Sequence, residues 1–177
     1  SQTWSQIQTI NDEANNGLYG TNGSDPRFGY CVHITENYLY TTAPYTSFGS
    51  YTGEAPNYKG GGTFFIYKYN SSTDKYDNFV FHRTLQHMVL DSNNLDTSKS
   101  LKIATEGATS SNYYMGESLT VHGDYVVCMG GRVRMTDASN SNYGNSYRGG
   151  GAIYKKDSGA DTWTISQTLW PQTDPQS

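Results

Sequence analysis

Residues that could take part in catalysis are few and scattered in this chain. The four histidines are His33, His82, His87 and His122. None belongs to an H-E-x-x-H zinc motif, and the sequence contains neither a G-x-S-x-G nucleophile turn nor a phosphate-binding P-loop. His33 and His82 lie inside strand patterns, where a hydrogen-bonded structural histidine is the ordinary interpretation. We therefore predict that the chain is not an enzyme and uses no cofactor.

Oxygen ligands for a metal ion are also poorly placed. Segment 91–96 reads Asp-Ser-Asn-Asn-Leu-Asp and is rich in side-chain oxygens. Calcium takes about six to eight oxygen ligands, usually from a loop whose sharp turn needs a glycine. This segment has the wrong spacing and no glycine, so a solvated loop is favoured and no metal site is predicted.

Two cysteines and two glycosylation triplets bear on the compartment of the protein. Cys31 lies in the first strand of one predicted hairpin and Cys128 in the second strand of another, so their positions in the pattern are not equivalent. Two buried thiols are therefore favoured, and a disulfide is the alternative. The triplets that begin at Asn22 and Asn70 would accept N-linked glycans in a secretory pathway.

The composition favours strands and turns. The chain has 177 residues with 19 glycines and 16 tyrosines, and only 16% of the residues are charged. Aromatic and β-branched residues favour strands, and glycine favours turns. A net charge of −4 without a basic cluster argues against nucleic-acid binding. No apolar run is long enough to span a bilayer, and the first residues lack the features of a signal peptide. This uncharged-polar balance is typical of extracellular, cell-surface or virion-surface proteins.

A repeat organises the sequence. Phe28-Gly29 and Met115-Gly116 begin two similar segments, 87 residues apart. Each continues with an alternating apolar strand, a tight polar turn and a second strand, which is the pattern of a β-hairpin. We expect alternate residues of the first strands to be buried between sheets. These residues are Val32, Ile34, Leu119 and Val121.

Each segment then continues in the same order. A glycine triplet, at 60–62 and again at 149–151, precedes a third strand. A fourth strand beginning at Phe79 or Trp163 closes each copy, and Trp4 begins a similar stretch at the N-terminus. Trp4, Phe79 and Trp163 are expected to pack between the sheets.

These patterns predict an all-β fold built from four-stranded antiparallel meanders. Its parts are an outer strand of a preceding unit at 1–10, a first unit at 11–86, a second unit at 87–170 and a connection to a further unit at 171–177.

The order of these motifs resembles the FG-GAP repeat of β-propellers such as those of integrin alpha subunits. Phe28-Gly29 corresponds to the FG element, and Ala43-Pro44 to a degenerate GAP element. The resemblance implies propeller blades, and propellers close with roughly 4–8 of them. Two blades and a leading strand would be completed by other parts of a longer chain or by further copies. The longer chain is favoured, because the sequence starts and stops inside the blade pattern.

One feature of that family is missing. Many FG-GAP repeats hold calcium in an acidic loop between the first two strands. The corresponding turns here, 35–37 and 122–124, are too short and too poor in carboxylates for such a cage. No calcium is therefore expected in either unit.

The long connections indicate where binding would occur. Successive turns of a meander alternate between the two ends of a sheet, so the connections at 11–27, 45–59, 86–114 and 131–148 should share one end. Their candidate binding residues are Tyr45, Tyr51, Tyr58, Tyr113, Tyr114, Tyr143 and Tyr147. Tyrosine among serine, glycine and asparagine is typical of adaptable binding surfaces. The alternative is that these rings merely order the loops. Arg132 and Arg134 are expected to pair with Asp137 or to extend along the surface.

These expectations combine into a non-catalytic surface or adhesion protein. Its tyrosine-rich loops would contact protein partners or further copies of itself, without binding nucleic acid or inserting into a membrane. A lectin-like module that binds glycans through the same loops is the alternative. An enzyme whose active residues lie outside this chain is a third hypothesis, which these residues do not favour.

Overall fold

The structure, a computed structural model, describes residues 3, 5–6, 8–10, 27–46, 61–97, 101–103, 114–132, 135–137 and 149–169. These ranges are mostly β: they contain two four-stranded antiparallel sheets, one two-stranded pair and one helix.

The first sheet is a meander in sequence order. It consists of β1 (Val32–Ile34), β2 (Tyr38–Ala43), β3 (Thr63–Asn70) and β4 (Lys75–Thr84), each hydrogen-bonded to the next. All three pairings are antiparallel. The predicted four-stranded meander is therefore confirmed for the first unit.

A helix that was not predicted follows directly. Helix α1 (Leu85–Leu95) begins in a stretch that the sequence patterns assigned to a polar loop. Thr84 caps it, because its side chain accepts the backbone N–H of His87 while the His87 ring accepts the backbone N–H of Thr84. The buried side chains of this region, three and four residues apart, are Leu85, Met88, Val89 and Ser92. Within the described ranges, no helix has the length and apolar character needed to cross a bilayer.

The second sheet repeats the meander. After β5 (Leu101–Ile103) come β6 (Ser118–His122), β7 (Tyr125–Gly130), β8 (Met135–Asp137), β9 (Gly150–Lys156) and β10 (Trp163–Leu169). The sheet order is β6, β7, β9, β10, again antiparallel throughout, while β5 and β8 pair with each other.

The repeat is visible in the backbone as well as in the strand order. Gly29 and Gly116 both have a positive φ, of 83° and 97°. Their N–H groups donate equivalent hydrogen bonds, to the carbonyls of Thr42 (2.9 Å) and Met129 (3.0 Å). Positions 87 residues apart thus play the same structural role.

The fourth strands align differently from the sequence prediction. Phe79 pairs with Tyr67, whereas Ile165 pairs with Tyr154, the counterpart of Tyr67. Ile165, and not Trp163, is therefore the counterpart of Phe79. Their exposures also differ, since Trp163 is 1% exposed in the core whereas Phe79 is 37% exposed.

The two sheets pack face to face, with unlike faces in contact. We call the face of the first sheet that carries Val32 and Ile34, and the face of the second that carries Leu119 and Val121, the front face. The opposite face of each sheet is the back face. The back face of the first sheet and the front face of the second contribute to one hydrophobic cluster, together with α1. Its buried members are Tyr40, Phe64, Ile66, Phe81, Leu85, Met88, Val89, Met115, Val126, Cys128, Ala152, Tyr154 and Trp163.

The prediction of buried front-face residues holds in part in one unit and fails in the other. Leu119 and Val121 are half-buried and pack against the main cluster. Val32 and Ile34 are instead 60% and 59% exposed. The reason is that the front face of the second sheet lies against the first, whereas nothing in the described ranges covers the β1 side of the first sheet's front face.

The long connections leave the sheets at one end, as predicted. Ala43, Thr63 and Thr84 lie side by side where the first sheet meets its connections. The corresponding ends of β7 and β9 pair in the second sheet. A parallel bridge between Gly62 and Met115 joins these ends of the two sheets.

The N-terminal residues do not form the expected strand in the part that is described. None of residues 3, 5–6 and 8–10 is assigned to a strand. The carboxamide of Gln8 instead accepts from the N–H of Tyr76 (2.9 Å) and donates to its carbonyl (3.1 Å). Because β4 is an edge strand, this amide occupies part of an otherwise open edge. Trp4 and the predicted connection at 171–177 lie outside the described residues.

Candidate functional site

Two tyrosines and two arginines form a stacked cluster where the long connections meet the sheets. The rings of Tyr45 and Tyr114 lie 4.4 Å apart between centroids, with an interplanar angle of 42°. The guanidinium carbon of Arg27 lies 4.0 Å from the centroid of the Tyr45 ring, and that of Arg132 lies 5.2 Å from the Tyr114 centroid. We call these four residues the stem stack.

Each residue of the stem stack comes from a different long connection. Arg27 ends the first and Tyr45 begins the second, while Tyr114 ends the third and Arg132 is the second residue of the fourth. The cluster therefore ties together the bases of all four connections. Long loops held by a rigid scaffold are where binding sites concentrate.

Symmetry between the two units explains the arrangement. Arg27 and Tyr114 are counterparts 87 residues apart, and so are Tyr45 and Arg132. The first unit has arginine at the first of these positions and tyrosine at the second, and the second unit has the reverse. This exchange brings the two tyrosines together in the middle and leaves an arginine at each end.

The backbone at the first of these positions is held in an uncommon conformation. Arg27 and Tyr114 have φ values of 52° and 51°, in the left-handed region that side chains other than glycine rarely adopt. Such a conformation costs on the order of 1–2 kcal/mol. It is held by matching turn hydrogen bonds, from the N–H of Tyr30 to the carbonyl of Arg27 (3.2 Å) and from Glu117 to Tyr114 (3.3 Å). Strained backbone kept in both units is a feature of functional sites.

Local hydrogen bonds also fix the second position. The Thr46 hydroxyl donates to the carbonyl of Ala43 (2.9 Å), which closes the turn that carries Tyr45. In the second unit, the N–H of Gly131 donates to Glu117 Oε2 (2.9 Å), next to Arg132. Tyr45 and Arg132 are therefore both attached to ordered turns.

The chemistry of the stem stack is that of recognition. Tyr114 is 7% exposed and Tyr45 is half-buried, while Arg27 and Arg132 are exposed. Guanidinium groups stay protonated in proteins and supply only donors. The cluster thus offers fixed positive charge and hydrogen-bond donors beside an aromatic surface, which suits contact with a polar partner.

The structure brings together two of the predicted binding residues, Tyr45 and Tyr114. Arg132, expected to pair with Asp137 or to extend along the surface, lies over the Tyr114 ring, while Arg134 and the side chain of Asp137 lie outside the described residues. The other predicted binding residues and one glycosylation candidate also lie outside them; they are Tyr51, Tyr58, Tyr113, Tyr143, Tyr147 and Asn22.

The second glycosylation candidate lies at the opposite end of the sheets. Asn70 ends β3, and its side-chain oxygen accepts the N–H of Ser72 (3.1 Å) within an exposed turn. A glycan attached there would leave the stem stack uncovered, because the β3–β4 turn and the long connections are at opposite ends of the sheet.

A polar network joins helix α1 to both sheets, and the sequence patterns missed it. Arg83 Nε lies 2.9 Å from Asp91 Oδ2, and the hydroxyl of Tyr154 donates to the same oxygen at 2.8 Å. Burial and the neighbouring carboxylate raise the pKa of Tyr154. The network depends on α1, whose periodic apolar residues were the overlooked signal. Its groups are paired with one another, which is typical of a structural role.

Two histidines beside this network remain neutral at ordinary pH. Burial is the main cause that lowers the pKa of His82 to about 4, and electrostatic repulsion from the nearby His87 and Arg83 lowers it further. Burial likewise lowers the pKa of His87, whose Nδ1 lies 2.8 Å from the Thr84 hydroxyl in the helix cap. In the part of the chain that is described, no group of three or more His, Cys, Asp or Glu residues is placed to hold a metal ion.

The two cysteines are free thiols. Cys31 is half-buried and its Sγ donates to the carbonyl of Glu117 (3.3 Å), which links the two units. Cys128 is fully buried in the main cluster, and burial raises its pKa. Cys128 therefore lacks the accessible, electropositive setting that activates a nucleophilic cysteine.

Comparison with known proteins gives no relative. No protein-family model, no curated protein and no solved structure matches this chain.

Proposed function

We propose that this chain is a non-catalytic binding scaffold that contacts a protein partner through the end of the sheets carrying the stem stack. The observation that carries the proposal is the stack itself. Four connections from two units converge on one aromatic and cationic cluster, and its two arginines are exposed.

The residue types support a protein partner. Tyrosine and arginine dominate the few residues that supply most of the binding energy in protein interfaces. The rigid stacking of Tyr45 and Tyr114 means that little side-chain freedom is lost on binding. The predicted binding tyrosines of the surrounding connections would supply the rest of the contact area.

We further propose that the two sheets are blades of a propeller-like array related to the FG-GAP repeat. Two features support this arrangement: the sheets are meanders of the same order, and the front face of one packs on the back face of the other. The array belongs in an extracellular, cell-surface or virion-surface setting. The glycosylation triplet that begins at Asn70 runs into an exposed turn remote from the stem stack, which supports that location.

A binding assay with purified, fluorescently labelled protein tests this function. The labelled chain is applied to intact cells and to extracellular matrix, and compared with the variants Arg27→Ala and Arg132→Ala. Both residues are exposed, so their loss should leave the fold intact. Lys75→Ala is the matched control, since it removes an exposed cation at the opposite end of the first sheet.

We expect both arginine variants to bind at least about tenfold more weakly, as for interface hot spots. The Lys75→Ala control should bind like the unmodified chain. Protease treatment of the target should abolish binding. Binding that survives protease but disappears after glycosidase treatment would favour the lectin alternative, and unchanged binding by both arginine variants would contradict the proposed site.

A further inference from the structure

A three-residue contact locks the second unit onto the first. The hydroxyl of Tyr38 donates to Asp161 Oδ1 (2.6 Å), and Lys68 Nζ lies 2.7 Å from Asp161 Oδ2. Tyr38 and Lys68 are paired across β2 and β3, and both point from the back face of the first sheet. Asp161 lies in the β9–β10 turn of the second sheet. We call this contact the inner latch.

The same three residue types occur a second time, 87 residues away in each case. Tyr125 is the counterpart of Tyr38, and Lys155 is the counterpart of Lys68. They are paired across β7 and β9 just as the first two are paired across β2 and β3. Asp74, in the β3–β4 turn of the first sheet, corresponds to Asp161 when the turn is counted from the third strand, since each follows its lysine by six residues. We call this second set the outer latch.

Among the described residues of one chain, the outer latch is open. Tyr125 is 40% exposed, and Lys155 Nζ lies 5.5 Å from the centroid of its ring. Asp74 lies in an exposed turn, where its Oδ1 accepts the hydroxyl of Tyr69. Tyr125 and Lys155 carry the donors on the back of the second sheet, and Asp74 carries the acceptor beside the first. The two halves therefore present complementary charges on different sheets.

Apolar residues beside the outer latch are more exposed than the equivalent residues of the other unit. On the front of the first sheet Val32 and Ile34 are exposed, although their counterparts in β6 pack against the main cluster. On the back of the second sheet Val127 and Ile153 are only half-buried, whereas their first-sheet counterparts are 3% and 0% exposed. Over β2 and β3 the front face of the first sheet is already buried within the chain, whereas its β1 side is exposed.

We propose that a second copy of this chain closes the outer latch. The exposed β1 side of the front face of its first sheet would pack on the back face of the second sheet of this chain. Tyr125 and Lys155 of one copy would then hold Asp74 of the next, in the way that Tyr38 and Lys68 hold Asp161. Such a head-to-tail interface uses two different surfaces, so it repeats into a ring or a filament according to the rotation at each step.

The test measures the mass of the whole chain by sedimentation velocity and light scattering up to millimolar concentration. The unmodified chain is expected to associate reversibly. The charge reversals Asp74→Lys and Lys155→Glu should each weaken association by at least about tenfold, because like charges then meet in the interface. The D74K/K155E double variant should recover it, since each interface again joins opposite charges.

Lys75→Glu is the matched control. It makes a comparable charge reversal at an exposed residue next to Asp74 but outside the latch, and it should associate like the unmodified chain. Circular dichroism and the melting temperature of each variant establish that the fold is retained. An unmodified chain that stays monomeric at every concentration overturns the proposal, and so does association that neither single reversal weakens.

Discussion

Tyr45 and Tyr114 stack with their ring centroids 4.4 Å apart, although they belong to different repeat units. Each ring also carries an arginine, Arg27 on one side and Arg132 on the other. The contact therefore does two things: it joins the two sheets at the end where the connections leave them, and it fixes two positive charges relative to each other. Structural and binding roles of these four residues are separable by substitution.

Replacing the buried ring should affect stability far more than replacing an exposed arginine. Tyr114→Ala removes a side chain that is 7% exposed, so we expect the free energy of unfolding to fall by about 3 kcal/mol. Arg132→Ala removes an exposed cation–π contact worth less than about 1 kcal/mol. Urea unfolding followed by circular dichroism measures both changes. Equal losses in the two variants would show that the ring is not buried as described.

Gly62 marks a close approach of the two units. A methyl group added there would lie 1.9 Å from the carbonyl oxygen of Met115, and its φ of 79° also disfavours a side chain. We expect Gly62→Ala to lower the free energy of unfolding by about 3 kcal/mol or more. Urea titration at equilibrium measures the loss.

Gly29 supplies the matched control for that substitution. It has a similar φ of 83°, but nothing lies within 4 Å of an added methyl group. Gly29→Ala should therefore cost only the left-handed backbone strain, about 1–2 kcal/mol. A comparable loss in both alanine variants would argue against the close contact between Gly62 and Met115.

Stability should fall in mildly acidic solution because His82 is buried in its neutral form. Its pKa is lowered from 6.5 to about 4, so between these values the unfolded chain binds more protons than the folded chain. The stabilisation is complete above about pH 6.5 and is lost as the pH falls towards 4. His87, whose pKa is lowered in the same direction, adds to the effect.

The comparison with His82→Phe isolates this contribution. Phenylalanine keeps the ring beside Phe79 and removes the titrating group. Unfolding free energies measured from pH 7.5 to pH 4 should decline less steeply in the variant than in the unmodified chain. Identical slopes would mean that His82 ionises as freely in the folded chain as in the unfolded one.

The sequence anticipates the sheets because their signals are local. Alternating strands, tight turns and glycines such as Gly29 and Gly116 recur at a fixed spacing, and each requires a particular backbone geometry. Helix α1 escaped detection because its apolar residues, beginning at Leu85, continue a strand without a break. Strand periodicity alone also does not reveal that Val32 is exposed, since that depends on which sheet face has a neighbour.

The stem stack could be anticipated only in part. Its tyrosines stood out by composition, but their pairing with Arg27 and Arg132 depends on how the two units are placed against each other. Equivalent positions in a repeat point to such contacts when they carry exchanged residue types. The outer latch follows from equivalent positions that keep the same residue type, since Tyr125 repeats Tyr38, which is already engaged in the first unit.

The two thiols should differ in reactivity. Cys128 is completely buried and its pKa is raised by that burial, so little thiolate is available to react. Cys31 is half-buried and should be modified first by an aromatic disulfide reagent. We expect one fast equivalent in the folded chain and two in denaturant. Cys31→Ser should remove the fast equivalent, whereas Cys128→Ala should leave it. Rapid reaction of Cys128 in the folded chain would contradict its place in the core between the sheets.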